Sequence, residues 1–271
     1  MEVIGQIIDP LSGYIRPITA LIPEPVENIG VSLLGDKCYD TLIRKVDFVS
    51  NPDCVALAIS RALGLGIVGM SSIVKVPQIL KLVASRSAEG LSLVSFVLET
   101  IGYFISLSYG FRMNFPFTTF GETALIGIQN FVICFLILQY SGKKTLAALF
   151  FAAISSFVYI LVDPTNAGYI SDQQMTLLQG LTIPLSLFSK IPQVLANYKN
   201  KSTGQLSAFS VINYLAGSLA RVFTTFQEVN DPIILSSFVG ATILNAILAI
   251  QLVLYWSNSN KPITSEKKKT K

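Results

Sequence analysis

The sequence predicts an all-α integral membrane protein in which seven transmembrane helices form two parallel three-helix repeats around a connecting helix. The chain is 51% hydrophobic and only 13% charged, whereas a soluble domain carries about a quarter charged residues. Seven apolar runs lie close to the roughly 20 residues that cross a bilayer. Two segments 115 residues apart are also near copies, KVPQILKLVASRSAEGLSLVSF from Lys75 and KIPQVLANYKNKSTGQLSAFSV from Lys190.

The apolar runs group into two triplets and one connector. Because the offset between the copies crosses four spans, both copies enter the membrane in the same direction, so the repeats are parallel. The predicted runs are 55–80, 92–111, 118–140, 145–162, 175–196, 208–227 and 233–256. The corresponding parts of the chain are an N-terminal arm (1–54), a first triple-helix repeat (55–140), a linker helix (141–170), a second triple-helix repeat (171–256) and a basic tail (257–271).

Basic residues predict the orientation of the chain. Alternate loops and the tail are rich in Lys and Arg, and short positive loops stay in the cytosol. The sequence therefore predicts a cytosolic C-terminus and, after seven crossings, a lumenal N-terminus. The residues that carry this prediction are Lys81, Arg86, Lys143, Lys144, Lys199, Lys201 and the lysines of the tail.

The two Pro-Gln segments resemble the repeats of the PQ-loop family of small seven-helix membrane proteins. Longer strings between residues 33 and 256 resemble one branch of that family, which is named for the utilization of mannose-phosphate-dolichol. They are LLGDKCYD at Leu33, SRSAEGLSL at Ser85, NFPF at Asn114, STGQLSAFSV at Ser202 and GSLARVFTTFQEVNDP at Gly217.

The resemblance implies an endoplasmic-reticulum membrane protein that is required for lumenal use of dolichyl-phosphate-mannose and dolichyl-phosphate-glucose. Those donors serve N-glycan precursors, glycosylphosphatidylinositol anchors and protein mannosylation. Translocation of the lipid and its presentation to lumenal glycosyltransferases are both open. The alternatives are an organellar transporter of small solutes such as sugars or amino acids, and a non-transporting scaffold for lumenal glycosyltransferases.

The Pro-Gln pairs predict kinks in the first and fifth spans. Pro77 and Pro192 lack an N–H and clash with the carbonyl four residues earlier, and Gln78 and Gln193 follow them directly. One interpretation makes these pairs hinges about which each triplet rocks. The other makes them static bends in a scaffold.

Lys75 and Glu99 are predicted to pair within the first triplet. Each lies twelve residues from Ser87 in the loop between them, so an antiparallel hairpin places both at a similar depth. A lone charge in the membrane costs about 2.5–3.5 kcal/mol, which favours a partner. The second copy has Lys190 but Tyr214 in place of the acid, so Glu99 is a candidate coupling residue. Alternatively, Lys75 reaches the cytosolic surface and Glu99 is protonated.

Further polar residues in the spans are candidates for binding the phosphosugar. Arg61 and Arg221 suit a phosphodiester because guanidinium groups bind phosphate through parallel hydrogen bonds, and Lys75 and Lys190 offer cations nearer the cytosolic face. Interfacial placement of the arginines explains the same pattern. Asn130 and Asn245, which are repeat equivalents, resemble the paired asparagines that contact substrate in SWEET sugar transporters. Hydrogen bonding between helices is the alternative.

Two features concern the ends of the chain. Cys38 and Cys54 fall in the predicted lumenal arm, where either a disulfide or two free thiols are expected. Lys268 and Lys269 fit the dilysine pattern read by retrieval coats, or else form a solvated basic tail beside anionic lipid.

Catalysis, metals and nucleic acid are not expected. The chain contains no His, which excludes Ser/His and Cys/His nucleophile systems, and it has no Asp-x-Asp pair for a sugar-nucleotide transferase. No Gly-rich phosphate loop follows a strand. The predicted partners are the lipid bilayer, the dolichol-linked sugars, glycosyltransferases and a retrieval coat, with no cofactor.

Overall fold

All regular structure in the described part of the chain is helical. The structure is a computed structural model that describes residues 16–19, 21–88, 91–162, 169–203, 208–229 and 231–256, and no strand occurs in these ranges. The helices are α1 (Glu24–Tyr39), a π-helical turn (Asp40–Arg44), α2 (Pro52–Ser71), α3 (Val76–Ser85), α4 (Leu93–Arg112), α5 (Phe117–Tyr140), α6 (Lys144–Val162), α7 (Asp172–Asn200), α8 (Ala208–Glu228) and α9 (Pro232–Leu254).

Five helical segments are long and apolar enough to cross a membrane. They are Pro52–Ser85, which combines α2 and α3, together with α4, α5, α6 and α9. Helices α7 and α8 cover the fifth and sixth predicted runs and have 29 and 21 residues. They are less apolar because they contain Lys190, Arg221 and Glu228 among several amides and hydroxyls. The predicted all-helical membrane class is confirmed.

Several polar side chains lie inside the helix packing, and many large apolar ones lie outside it. Ser60, Thr100, Ser108 and Asn130 are completely buried. Large apolar side chains are instead exposed along the helices, including Leu181, Phe188, Ile243 and Val253. This distribution suits a lipid environment, where helices associate through small and polar residues because the lipid tails are as apolar as the side chains facing them.

The chain forms two compact units. The first contains α1 to α6 with the first turn of α7 and the end of α8, and the second contains the rest of α7 and α8 with α9. In the first unit, α5 packs against α2, α3 and α4 and therefore lies at the centre of its triplet. In the second unit, Val211 of α8 packs with Leu248 and Leu252 of α9, and Val194 of α7 lies against them.

The N-terminal arm is linked covalently to the first span. A disulfide joins Cys38 in α1 to Cys54 in the first turn of α2. The π-helical turn lies between these two cysteines in the chain. Two ion pairs, Arg44 with Glu27 and Lys45 with Asp40, stabilise it. The hydrogen bond from Lys45 holds the pKa of the Asp40 carboxyl below its usual value, because it favours the charged form.

The first Pro-Gln segment lies just after a break between α2 and α3. Gln129 of α5 bridges this break: its Nε2 donates to the carbonyl of Ser71 at 2.8 Å, and its Oε1 accepts the backbone N–H of Lys75 at 2.9 Å. A buried backbone group without a partner costs free energy comparable to a lost hydrogen bond. One side chain thus satisfies both ends of the break.

The second copy lacks this break. Helix α7 continues from Asp172 to Asn200 with Pro192 inside it. The position 115 residues after Gln129 is Leu244, whose side chain has no hydrogen-bonding group. The two copies therefore differ where the sequence predicted the same kink, because only the first has an amide that stabilises an interrupted helix.

Replacement of Gln129 by Leu should destabilise the protein. The N–H of Lys75 and the carbonyl of Ser71 would then be unsatisfied, at about 1–3 kcal/mol each. The measurement is the free energy of unfolding in detergent or bicelles. Gln251→Leu is the matched control, since Gln251 donates a single hydrogen bond, to the carbonyl of Val194 at 2.9 Å. Equal losses in the two variants would contradict the bridging role.

The disulfide predicts the reactivity of the three cysteines. In unfolded, unreduced protein, only Cys134, whose thiol is free, should react with a maleimide, and reduction should make all three reactive. Mass spectrometry counts the labels. Cys134→Ser should abolish labelling before reduction but leave two labels afterwards. Three labels without reduction, on protein isolated from an oxidising compartment, would show that Cys38 and Cys54 are unlinked.

Candidate functional site

The first copy contains a lysine, a carboxylate and an amide in mutual contact. Lys75 Nζ lies 3.3 Å from Glu99 Oε2 of α4, and Asn130 of α5 donates from Nδ2 to the same oxygen at 2.8 Å. The Lys75 ammonium also lies 5.4 Å from the ring centroid of Phe96. The lysine therefore has an anionic partner, as the hairpin argument predicted, and the cluster is neutral when both groups are charged.

The side chains of this first-copy cluster differ in how far they are exposed. The side chain of Glu99 is 48% exposed and that of Lys75 is 24% exposed, whereas Asn130 is completely buried. The Oδ1 atom of Asn130 has no hydrogen-bond partner among the described residues. An unsatisfied buried acceptor is unfavourable, so the amide is oriented for Glu99 at the expense of its own oxygen.

The second copy makes a different set of contacts at equivalent positions. Lys190 Nζ donates to Asn245 Oδ1 at 2.7 Å. Asn245 Nδ2 donates to the carbonyl of Tyr214 at 2.9 Å and to Ser218 Oγ at 3.0 Å. Lys190 lies 5.6 Å from the ring centroid of Tyr214, the residue that replaces Glu99. All polar atoms of the Asn245 amide thus have partners.

The two clusters differ in net charge. Within the described ranges no carboxylate forms an ion pair with Lys190, so the second-copy cluster carries one positive charge where the first carries none. Such a cation attracts an anionic group, most strongly a phosphate that accepts a charge-assisted hydrogen bond. No three His, Cys, Asp or Glu side chains of the described chain lie together as metal ligands.

Arg61 belongs to a buried cluster that the sequence did not indicate. Its Nη1 lies 3.0 Å from Glu228 Oε2, and the Glu228 side chain is 1% exposed. Ser60 and Thr118 each donate a 2.6 Å hydrogen bond to the same carboxylate. Gly64 permits the close approach of α2 and α5, since an added Cβ would lie 2.9 Å from that of Thr118. The charge of Arg61 is therefore neutralised within the protein.

The structure places the other predicted residues as follows. Pro77 lies in the first turn of α3. Gln78 is half-buried and Gln193 is exposed, and neither side chain hydrogen-bonds to another described residue. Arg221 is 3% exposed and belongs to the second unit. Lys268 and Lys269 lie outside the described residues.

Comparisons with known proteins match both repeats. The family model described as PQ loop repeat matches residues 59–119 and 175–234. A curated human (Homo sapiens) protein, solute carrier family 66 member 3, is 30% identical over 189 residues, which cover 69% of this chain and 89% of that protein. No solved structure gives a significant match. The two matched ranges each contain one of the Pro-Gln segments.

Breaking the Arg61–Glu228 pair should strongly destabilise the first unit. Glu228→Gln leaves a largely buried guanidinium without its carboxylate, and loss of one partner of a buried pair costs about 3–5 kcal/mol. Unfolding measurements on Glu228→Gln, Arg61→Gln and the double variant give the coupling energy, and the double variant should lose less than the two single losses together.

The control is Glu27→Gln in the N-terminal arm, which removes the more exposed ion pair with Arg44 and should cost about 0–1 kcal/mol. Strictly additive losses from Arg61→Gln and Glu228→Gln would show that the two side chains are not coupled.

Proposed function

This chain belongs to the PQ-loop repeat family of membrane proteins, and from that premise we propose that it supports lumenal use of dolichyl-phosphate-mannose and dolichyl-phosphate-glucose. In this proposal it resides in the endoplasmic-reticulum membrane and handles the phosphosugar head of the lipid. The strings quoted above support this branch of the family, because they extend well beyond the Pro-Gln motifs, from residue 33 to residue 232.

The observation that carries the proposal is the cationic cluster at Lys190. An unpaired charge within a span is costly, at about 2.5–3.5 kcal/mol. A lysine held by Asn245 Oδ1 without a carboxylate therefore gains most from an anionic ligand. A phosphodiester between an isoprenoid and a hexose is such a ligand, and Lys190 is its proposed binding residue.

The geometry assigns Asn245 a positioning role in this proposal. Its Oδ1 accepts from Lys190 and its Nδ2 donates to Tyr214 and Ser218, so the amide acts on a ligand through the lysine. Arg61 has no part in phosphate binding here, because Glu228 already neutralises it. Arg221 stays a candidate for the phosphate, and Asn130 for the sugar.

The proposed location and orientation rest on the sequence. Basic loops favour a lumenal N-terminus and a cytosolic C-terminus. In the cytosol, Lys268 and Lys269 would be accessible to a retrieval coat, which would keep the protein in the endoplasmic reticulum.

A second candidate function is transport of a small organellar solute, such as a sugar or an amino acid. The observation that favours it is the similarity to a protein named as a solute carrier. Organelle location separates the two candidates, because a solute exporter is expected on a lysosome or plasma membrane.

The functional test is transfer of a short-chain dolichyl-phosphate-mannose analogue across proteoliposomes. We expect faster crossing with the protein than without it. Lys190→Gln should reduce the rate about tenfold or more, because a hydrogen bond to a charged group contributes about 1.5–3 kcal/mol. Lys143→Gln, which removes an exposed lysine, is the control and should leave the rate unchanged.

Other outcomes select between the remaining roles. Background crossing in proteoliposomes, together with Lys190-dependent rescue of mannosylation in deficient cells, would assign presentation of the donor. Rescue by Lys190→Gln at the wild-type level would overturn the phosphate-binding role. If rescue depends on binding to glycosyltransferases, measured by co-purification, and not on Lys190, the scaffold role is favoured. Uptake of a free sugar or amino acid would favour the solute carrier. Alanine replacement of Pro77, Gln78, Pro192 and Gln193 tests the hinges separately.

A further inference from the structure

The equivalent lysines of the two copies, Lys75 and Lys190, form hydrogen bonds with different partners. In the first copy the lysine bonds the carboxylate of Glu99 and leaves Asn130 Oδ1 unsatisfied. In the second copy, where the carboxylate is absent, the lysine bonds the amide oxygen of Asn245 directly. The second-copy geometry is therefore a template for what Lys75 does when Glu99 loses its charge.

The distances allow this exchange within the first unit. Lys75 Nζ and Asn130 Nδ2 bond the same oxygen, Glu99 Oε2, so the ammonium lies within two hydrogen-bond lengths of the amide. A turn of the Asn130 amide brings Oδ1 towards the ammonium. This change gives the buried acceptor a donor and removes the hydrogen bond from Nδ2 to Glu99.

We infer that Lys75 exchanges Glu99 for Asn130 when the Glu99 carboxylate is protonated, and that the first copy then becomes an anion-binding site like the one at Lys190. The proton comes from solvent and stays on the Glu99 carboxyl, whose side chain is 48% exposed, while Lys75 remains an ammonium. The ligand class, a phosphodiester lipid head, rests on the proposed function; the exchange itself does not.

The surroundings of Glu99 contain few other charges. Tyr103 on its own helix and Cys134 on α5 lie within electrostatic range, and Glu122 lies near Tyr103. Helix α6, which also packs on α4, carries no charged residue after Lys144. Lys75 is thus the one cation that the described structure places against this carboxylate, and protonation of Glu99 changes the charge of the first-copy cluster from zero to plus one.

The consequence is a proton-linked difference between the copies. The charge of the Lys190 site does not depend on a neighbouring carboxylate, because Tyr214 stands at the position of Glu99. The Lys75 site is cationic only after protonation of Glu99. Anion binding at Lys75 and protonation of Glu99 then favour each other, since linkage between two sites is reciprocal.

The test is binding of a short-chain isoprenyl phosphoryl mannose to the purified full chain in detergent, measured by calorimetry across pH 4–8. A phosphodiester keeps one negative charge over this range, so a change in affinity reports the protein. Alongside binding at Lys190, which does not depend on Glu99, we expect the affinity of the Lys75 site to rise on the order of tenfold or more towards low pH, within the usual range of coupling between sites. Glu99→Gln should show the high affinity at every pH, and Lys75→Gln should lose the pH-dependent part.

The variant Glu99→Tyr provides a second form of the test, because it copies the residue found at Tyr214 and does not depend on how a glutamine packs. It too should bind with high affinity at every pH. The uncharged isoprenyl mannoside should show no dependence on Glu99, and inorganic phosphate tests whether the anion alone suffices. Infrared difference spectra on a pH step should contain a protonated-carboxyl component, beyond that of the other acidic residues, which Glu99→Gln lacks.

The outcomes separate the two proposals. A flat pH profile in wild type, with Glu99→Gln and Glu99→Tyr binding no more tightly, would overturn the partner exchange whatever Lys190 does. Unchanged affinity in Lys190→Gln would overturn the phosphate role of the second copy and leave the exchange standing if the Glu99 variants behave as expected. Circular dichroism and gel filtration establish that each variant is folded.

Discussion

Helices in a lipid environment depend on the pairing of every backbone N–H and carbonyl group. Where the first span is interrupted before Pro77, the helix loses backbone bonds, and the interruption persists because Gln129 supplies both a donor and an acceptor in their place. This places Lys75, the last residue of the break, at the position where it meets Glu99. The geometry of the first-copy cluster thus depends on one buried amide in the central helix.

The two halves share the repeated arrangement of their helices, and a few substitutions make them chemically different. Gln129 and Leu244 decide whether the first helix of a triplet is broken or continuous. Glu99 and Tyr214 decide whether the lysine and asparagine that the two copies share form a neutral or a cationic cluster. In both pairs the first copy carries the more polar residue. The helix break and the carboxylate of the cluster therefore both lie in the first triplet.

Composition and spacing predicted the helices and the Lys75–Glu99 contact because both follow from local rules. Membrane spans need apolar length, and a hairpin sets which residues share a depth. The contact of Arg61 with Glu228 joins residues far apart in the chain, and no periodic pattern relates them. Gln129 was missed for another reason: an amide in an apolar helix has many possible partners, and sequence alone does not show that a neighbouring backbone is broken.

The disulfide between Cys38 and Cys54 links the fold of the arm to the direction in which the chain enters the membrane. Disulfides persist in oxidising compartments and are reduced in the cytosol. A chain inserted with its arm in the lumen can close the bond and fix α1 to the first span. A chain inserted the other way leaves both thiols reduced and α1 without a covalent link to the first span. Misoriented molecules can therefore be counted by their reduced Cys38 and Cys54.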